Sequence, residues 1–372
     1  MSKRTRGNDE VDDKNKSESL AIWNRPDEPN EQRGSGSTTA DLSLESCSNS
    51  QSPVWQHVQK HGPHPNIVKW LDSFNIKHNN TRHYTLRFEM MGPSLAEAMK
   101  LQEHKFHIEV MKRIIKQILE AVKHLHYLGV IHMDIKPCNI MIAITDENIQ
   151  NLANSKDRTH NRYDLNVTDP DSNIIVKIVD MGLSCIAERV RIQARPTCSY
   201  SSPEGLLTYQ RDQSVDLWSV GCLIFKLVIG RTLIPCNDYN EVEHYEEHLA
   251  LMEDNLGPIP DDLFKNEAIP EGLKYLEKPI RQGCPDPNVH RMLVDEAAKV
   301  IKSAQSCELF SELVQSFLKY DPEQRMKAAD ALDHPFLEPQ SEESETERDL
   351  EAQMSSNEPG TSTSYQSTFL NR

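Results

Sequence analysis

Between Phe106 and Leu128 the apolar residues Ile108, Met111, Ile114, Ile115, Ile118, Leu119, Val122 and Leu125 recur at steps of three and four. That spacing gathers them on one wide face of a helix, which has to be buried, and Gly129 supplies the usual helix stop. His124 and His126 flank the stripe and read as structural. Directly after this helix comes Ile131-His132-Met133-Asp134-Ile135-Lys136-Pro137-Cys138-Asn139-Ile140-Met141-Ile142. It sets a carboxylate, an ammonium and an amide within two short steps of one another, between apolar flanks, and Pro137 prevents the helix from continuing. A loop leaving a rigid helix is where positioned catalytic groups belong. The plain alternative is a polar loop between two buried strands.

The order of the rest of the chain bounds what this helix can join. Residues 1–53 are rich in Ser, Asn, Asp, Glu and Lys, with too few apolar residues to offset the entropy of ordering, and read as a disordered segment. Gly34-Ser35-Gly36-Ser37 lies inside it and reads as a flexible linker, because neither flank alternates as a strand would. Order is expected from Val54, with a short helix over Trp55–Lys60, a strand within His64–Phe74 and a second over Arg82–Met91. Ala143–Ser172 is Asn- and Asp-rich and aperiodic, an inserted loop of about 30 residues. Asn173–Val179 is a β-branched strand running into Asp180-Met181-Gly182. Asp216–Phe225 is apolar nearly all round and reads as a buried helix. The remainder to Leu337 reads helical, and residues 339–372 form an acidic, Ser/Thr-rich tail expected to be disordered.

Charge and cysteine usage exclude several classes. A net charge of -16 argues against a nucleic-acid surface and favours basic partners. The eight cysteines, Cys47, Cys138, Cys185, Cys198, Cys222, Cys236, Cys284 and Cys307, contain no Cys-x-x-Cys pair. That favours reduced thiols in a cytosolic or nuclear setting over a disulfide framework or a zinc site. His61, His64, His78 and His83 lack supporting Cys or paired carboxylates and read as ordinary surface. The charged N-terminus has no signal-peptide core, and Lys226 breaks the longest apolar run, Leu217–Ile229, well short of the roughly 18 residues of a membrane span.

These pieces stand in the order found in eukaryotic protein kinases. Asp134-x-Lys136-Pro137-x-Asn139 resembles their catalytic loop, Asp180-Met181-Gly182 their metal-binding triplet and Tyr200-Ser201-Ser202-Pro203-Glu204 the end of their activation segment. Within the family the chain is most similar to SR-protein kinases: the loop has no Arg before Asp134, the Ala143–Ser172 insert stands where those kinases carry a spacer, Met181 replaces Phe, and the run from Asp238 to Pro260 is of their kind. The resemblance covers about residues 62–338. It implies an α+β, protein-kinase-like fold: a 54–102 remnant of the small lobe and hinge, and a complete, mainly helical large lobe over 103–338.

The same resemblance implies the chemistry. Asp134 would orient or accept the proton of a substrate hydroxyl, and Lys136 would neutralise the transferring phosphate. Asn139 and Asp180 would ligate Mg2+ bridging the phosphates of ATP. Phe88 matches the gatekeeper, Glu89 and Met91 the hinge backbone that holds adenine, and Met141 the apolar floor beneath it. Glu204 should pair with buried Arg325, and Asp216 should anchor the loop from below. Met133, in place of the usual Arg, implies no activation by phosphorylation at that site. Expected partners are basic, Arg/Ser-rich protein substrates of a monomer in cytoplasm and nucleus, with no direct nucleic acid and no membrane.

One element of the pattern is missing. Between Lys16 and Lys60 there is no lysine to grip the α- and β-phosphates, and Gln51–Lys60 offers no glutamate to pair with one. The small β lobe is therefore read as truncated or heavily diverged. Three readings stay open: an active serine/threonine kinase, a pseudokinase that holds Arg/Ser-rich partners on Glu241, Glu243, Glu246 and Glu247, and the product of a truncated transcript.

Overall fold

The computed structural model describes residues 45–78, 81–145, 165–186, 189–191, 198–208, 210–236, 241–265, 269 and 288–339. The Gly34–Ser37 linker, most of the 143–172 insert and nearly all of the acidic tail lie outside these residues. In chain order the elements are α1 (Glu45–Lys60), β1 (Trp70–His78), β2 (Thr81–Phe88), β3 (Met91–Ser94), α2 (Leu95–Leu101), α3 (Ile108–Tyr127), β4 (Val130–Ile131), β5 (Ile140–Ala143) and β6 (Val176–Ile178). Then follow β7 (Cys185–Ile186), β8 (Arg189–Arg191), α4 (Pro203–Leu207), β9 (Gln210–Asp212), α5 (Ser214–Ile229), α6 (Glu241–Leu256), α7 (Asp261–Phe264), α8 (Val289–Ala297), α9 (Ala304–Phe317) and α10 (Ala328–Ala331).

The helical unit forms around α3 as its periodicity requires. Met111, Ile114, Ile115, Ile118, Leu119, Val122 and Leu125 are all buried, and the helix ends at Gly129 in the left-handed conformation, φ 71°. His107 caps its start, its Nδ1 accepting from the Glu109 amide. α5 is buried from Val215 to Phe225 and likewise ends on a left-handed glycine, Gly230. Gly221 lets α5 approach α9 closely: a Cβ there would lie 2.8 Å from Phe317 Cβ. No helix among the described residues is long and apolar enough to cross a membrane.

Ahead of this unit the strands differ from the sequence expectation in extent. α1 begins at Glu45, before the 53/54 boundary, with Pro53 inside it, and Val54, Trp55 and Val58 bury one face of its second half. The strand expected within His64–Phe74 begins only at Trp70. Residues 64–69 instead lie along β6, where Val68 N donates to Ile178 O and Ile178 N to Asn66 O. The expected strand over Arg82–Met91 is two strands: β2 pairs with β1 in an antiparallel hairpin, and β3 joins β5 and β6 in a separate sheet of order β3-β5-β6. The break between them falls at Glu89 and Met90. The last part of the insert is packed rather than loose: Val167 is buried, its carbonyl accepts from His107 N, and Arg113 donates to the carbonyls of Pro170 and Ser172.

Candidate active site

Asp134, Lys136 and Asn139 come together in the loop between β4 and β5. Pro137 opens a single 3-10 turn, Pro137–Asn139, which swings Asn139 back towards Asp134. Asn139 Nδ2 donates to the Asp134 backbone carbonyl and to its Oδ2, both at 2.8 Å. Lys136 Nζ lies 2.9 Å from the same Oδ2. The Asp134 side chain is almost wholly buried while Lys136 keeps some exposure, 5% against 16%. Two contacts on one oxygen fix the rotation of the carboxylate, and a charge-assisted pair at this distance is of the stronger kind.

The loop backbone is held from beneath. Met133 has φ 66°, a conformation disfavoured for a residue with a side chain, so something must maintain it. Asp216, at the start of α5 and fully buried, does so: its carboxylate accepts from His132 N at 2.8 Å and Met133 N at 2.7 Å, and its Oδ2 also lies 3.0 Å from His126 Nε2. His132 contributes a second strut. The Asp134 amide can only donate, so Nδ1 of His132 is the acceptor at 3.2 Å, and the proton on Nε2 goes to Val179 O at 3.0 Å. This neutral tautomer ties the loop to the strand leading into Asp180. The Met133 side chain packs in a small apolar cluster with Ile131, Val215, Leu183 and Cys185. Burial there, with Asp216 nearby, pushes the Cys185 thiol up to about 11, so it stays protonated.

Asp180 reaches the same end of the sheet. β5 and β6 pair Ile140 with Ile178, and one step on, Val179 N donates to Asn139 O at 3.0 Å. Asp180 itself has φ 60° and accepts from Gly182 N through Oδ1 at 3.0 Å. The two left-handed non-glycine residues of this region therefore flank the Asp134 loop on its two sides, where stored backbone strain is expected of a functional site. Asn139 commits both amide hydrogens to Asp134, which leaves its carbonyl Oδ1 as the atom for a cation. With the Asp180 carboxylate this is a hard oxygen set, the donor chemistry that suits Mg2+.

The residues expected around adenine lie at the β3-β5-β6 sheet. Met91 pairs with Ala143, Ser94 with Met141, and Met141 in turn with Lys177. Glu89 uses its side chain on the protein itself: Oε1 accepts from Lys69 N at 2.7 Å and from Lys177 Nζ at 2.6 Å. The sequence reading gave no role to Lys177, because a lone lysine in a β-branched strand carries no signal. Phe88 stacks edge-on against Trp55 with ring centroids 4.9 Å apart, which closes α1 over the hairpin.

The buried pair expected from the resemblance is present. Arg325 Nη1 and Nη2 meet Glu204 Oε1 and Oε2 at 2.6 and 2.8 Å, a forked contact, and the guanidinium sits 5.1 Å above the Trp218 ring. Residues 47–337 match the model of the protein kinase domain. The chain belongs to the protein kinase family. It is 32% identical over 289 residues to serine/threonine-protein kinase AFC3 of Arabidopsis thaliana, an alignment covering 74% of this chain and 66% of that kinase. It is 27% identical to serine/threonine-protein kinase SRPK of Physarum polycephalum, over 73% of this chain and 71% of the relative. To dual specificity protein kinase CLK4 of Homo sapiens it is 28% identical, over 78% and 57%. The chain spans 66%, 58% and 61% of the lengths of the Arabidopsis kinases AFC3, AFC1 and AFC2. The matched span thus includes both the helical unit and the hairpin region, and the Asp134 loop lies within it.

Proposed function

We propose that this chain transfers the γ-phosphate of ATP to serine hydroxyls in Arg/Ser-rich proteins. The observation that carries the reading is the Asp134 carboxylate, buried, fixed by Asn139 and paired with Lys136 at 2.9 Å. Phosphoryl transfer needs little covalent work from the protein beyond positioning and charge neutralisation. Asp134 orients the attacking hydroxyl and takes its proton, a role worth about 100- to 10,000-fold. Lys136, held 2.9 Å from Asp134 Oδ2, meets the negative charge of the moving phosphoryl group. Asn139 Oδ1 and Asp180 would hold Mg2+, which would supply charge neutralisation for the transferring group. The backbone of Glu89 and Met91 would hold adenine, with Met141 as an apolar contact.

Substrate class follows from charge. Helix α6 carries Glu241, Glu243, Glu246 and Glu247, with Glu246 exposed and Glu247 half-buried, on a chain of net charge -16. An arginine-rich segment is the complementary partner. The names of the relatives say serine/threonine or dual-specificity kinase, which agrees with a hydroxyl acceptor. One observation favours a binding role without turnover: the sequence has no lysine from 17 to 59 to grip the α- and β-phosphates.

A single experiment separates the two. The purified chain with Mg2+ and labelled ATP is expected to label an Arg/Ser-repeat peptide, and Asp134→Ala is expected to lower the rate by 100-fold or more, on the order expected for loss of a general base. Absence of labelling by the unaltered chain, with peptide binding retained and weakened by salt, leaves the scaffold reading.

A further inference from the structure

Cys198, Cys236 and His248 come from three separate elements and meet at one point. Cys198 opens a 3-10 turn ahead of Tyr200, Cys236 lies in the loop after α5, and His248 lies on α6. Their two sulfurs and one imidazole nitrogen all fall within 4.8 Å of one another. Each is held there by packing. Tyr200 O accepts from Ser219 Oγ on α5, Leu233 and Ile234 bury the loop leading to Cys236, and His248 sits in a buried stripe with Tyr245, Leu249 and Met252.

The pairwise geometry goes further. His248 Nδ1 lies 2.7 Å from Cys198 Sγ, and its Nε2 is buried with no hydrogen-bond partner among the described residues, so the polar reason for burying this ring lies on the Nδ1 side. One helical turn earlier, His244 Nδ1 lies 3.5 Å from Cys236 Sγ. Residues four apart share a helix face, so His244 and His248 present their rings to the same side. Zn–S and Zn–N bonds of about 2.3 and 2.0–2.1 Å in a tetrahedron put S and N about 3.5 Å apart. The Cys236–His244 separation already has that value, and the Cys198–His248 separation reaches it by opening less than about 1 Å, a side-chain adjustment.

We propose that Cys198, Cys236 and His248 bind one divalent transition metal of the zinc type, with His244, beside Cys236 but outside that 4.8 Å group, turning in as the fourth ligand, and so tie the segment just before Tyr200–Glu204 to α6. Binding takes up one M2+, forms two metal–thiolate and two metal–imidazole bonds, and releases the two thiol protons to solvent. Thiolate and imidazole ligands select this class of metal over Mg2+, so the site is chemically distinct from the oxygen set of Asn139 and Asp180.

The test uses the reduced, chelator-treated full chain titrated with Co2+. One equivalent is expected to produce intense tetrahedral visible bands and thiolate-to-cobalt charge transfer, with proton release, and Zn2+ is expected to bleach them. Cys236→Ser and His248→Gln lose the charge-transfer signal, while Cys307→Ser, a buried thiol remote in sequence from all four ligands, keeps it. Absence of thiolate charge transfer in the unaltered chain, or its survival in Cys236→Ser, overturns the proposal. Alkylation of the unaltered chain, mapped by mass spectrometry, provides a readout independent of variant folding. Zn2+ is expected to protect Cys198 and Cys236 but leave the exposed Cys138 reactive. Equal labelling of Cys198 and Cys236 with and without Zn2+ overturns the proposal, as does a Cys198–Cys236 disulfide whose reduction yields no metal binding.

Discussion

The helical unit and the β1–β2 hairpin are held by opposite means. The helical unit contains buried, matched charged groups: Arg325 with Glu204, and Asp216 with two backbone amides and His126. The hairpin's charged pair, Arg87 with Asp72, is partly in solvent, and Leu71 and Ile76 point out of it. Its links to the rest include the Trp55–Phe88 contact, the backbone bonds of Asn66 and Val68 with Ile178, the Asn66 side chain bonded to Gln117 and Val176, and the Glu89–Lys177 pair. A buried charge cannot lose its partner cheaply, whereas an exposed pair contributes little. Stability is therefore expected to be concentrated on the side of the Asp134 loop, with the hairpin the first part to open locally.

The largest test of this contrast is Glu204→Ala. It strands a buried guanidinium and is expected to cost about 3–5 kcal/mol of global stability, read as a drop in the urea midpoint. A loss below about 1 kcal/mol, the range of exposed pairs, would erase the distinction between the two regions.

Acid comes next. Burial, reinforced by nearby His244, lowers the His248 imidazole from 6.5 to about 3, so the native state keeps it neutral while the unfolded chain protonates it below 6.5. The unfolded state then binds more protons, and stability falls as pH drops from about 6.5 towards 3, being fully present above that window. His64, His124 and His334, also lowered by burial, act in the same direction. Melting temperature against pH for the metal-free chain should be flatter in His248→Gln; an unchanged slope would remove this residue from the account.

Trp55→Ala is expected to act locally. The cavity term for a buried Trp is about 3–5 kcal/mol, but the loss seen globally is capped by the cost of opening α1 and the hairpin alone. Limited proteolysis should cut residues 60–88 faster while the urea midpoint moves little. An equal shift in both would mean that the regions unfold together. The smallest effect belongs to Ile76→Thr on the exposed hairpin face, expected within about 0.5 kcal/mol by the same denaturation.

The sequence revealed what short-range pattern encodes. The steps of three and four in α3, the glycine stop at Gly129 and the apolar run of α5 fixed those elements, and the family resemblance named Asp216 and the Glu204–Arg325 pair before any coordinates. Strand limits were less legible. Residues 64–69 alternate like a strand, but Asn66 and Val68 spend backbone bonds on Ile178 of β6, a partner more than a hundred positions away that no local pattern specifies. The Cys/His cluster was illegible for a similar reason. A Cys-x-x-Cys rule looks for ligands on one turn, whereas here two cysteines on separate loops converge on a helix. The one local trace was His244-x-x-x-His248, the spacing of two rings on one helical face.

Asp216 has a further use as a clock. The amide hydrogens of His132 and Met133 both end on its buried carboxylate, and that carboxylate is carried by the first turn of the deeply packed α5. Neither amide can meet solvent until α5 moves. Their deuterium uptake should therefore keep time with unfolding of the whole helical unit, so two protons beside Asp134 would report how seldom that unit comes apart.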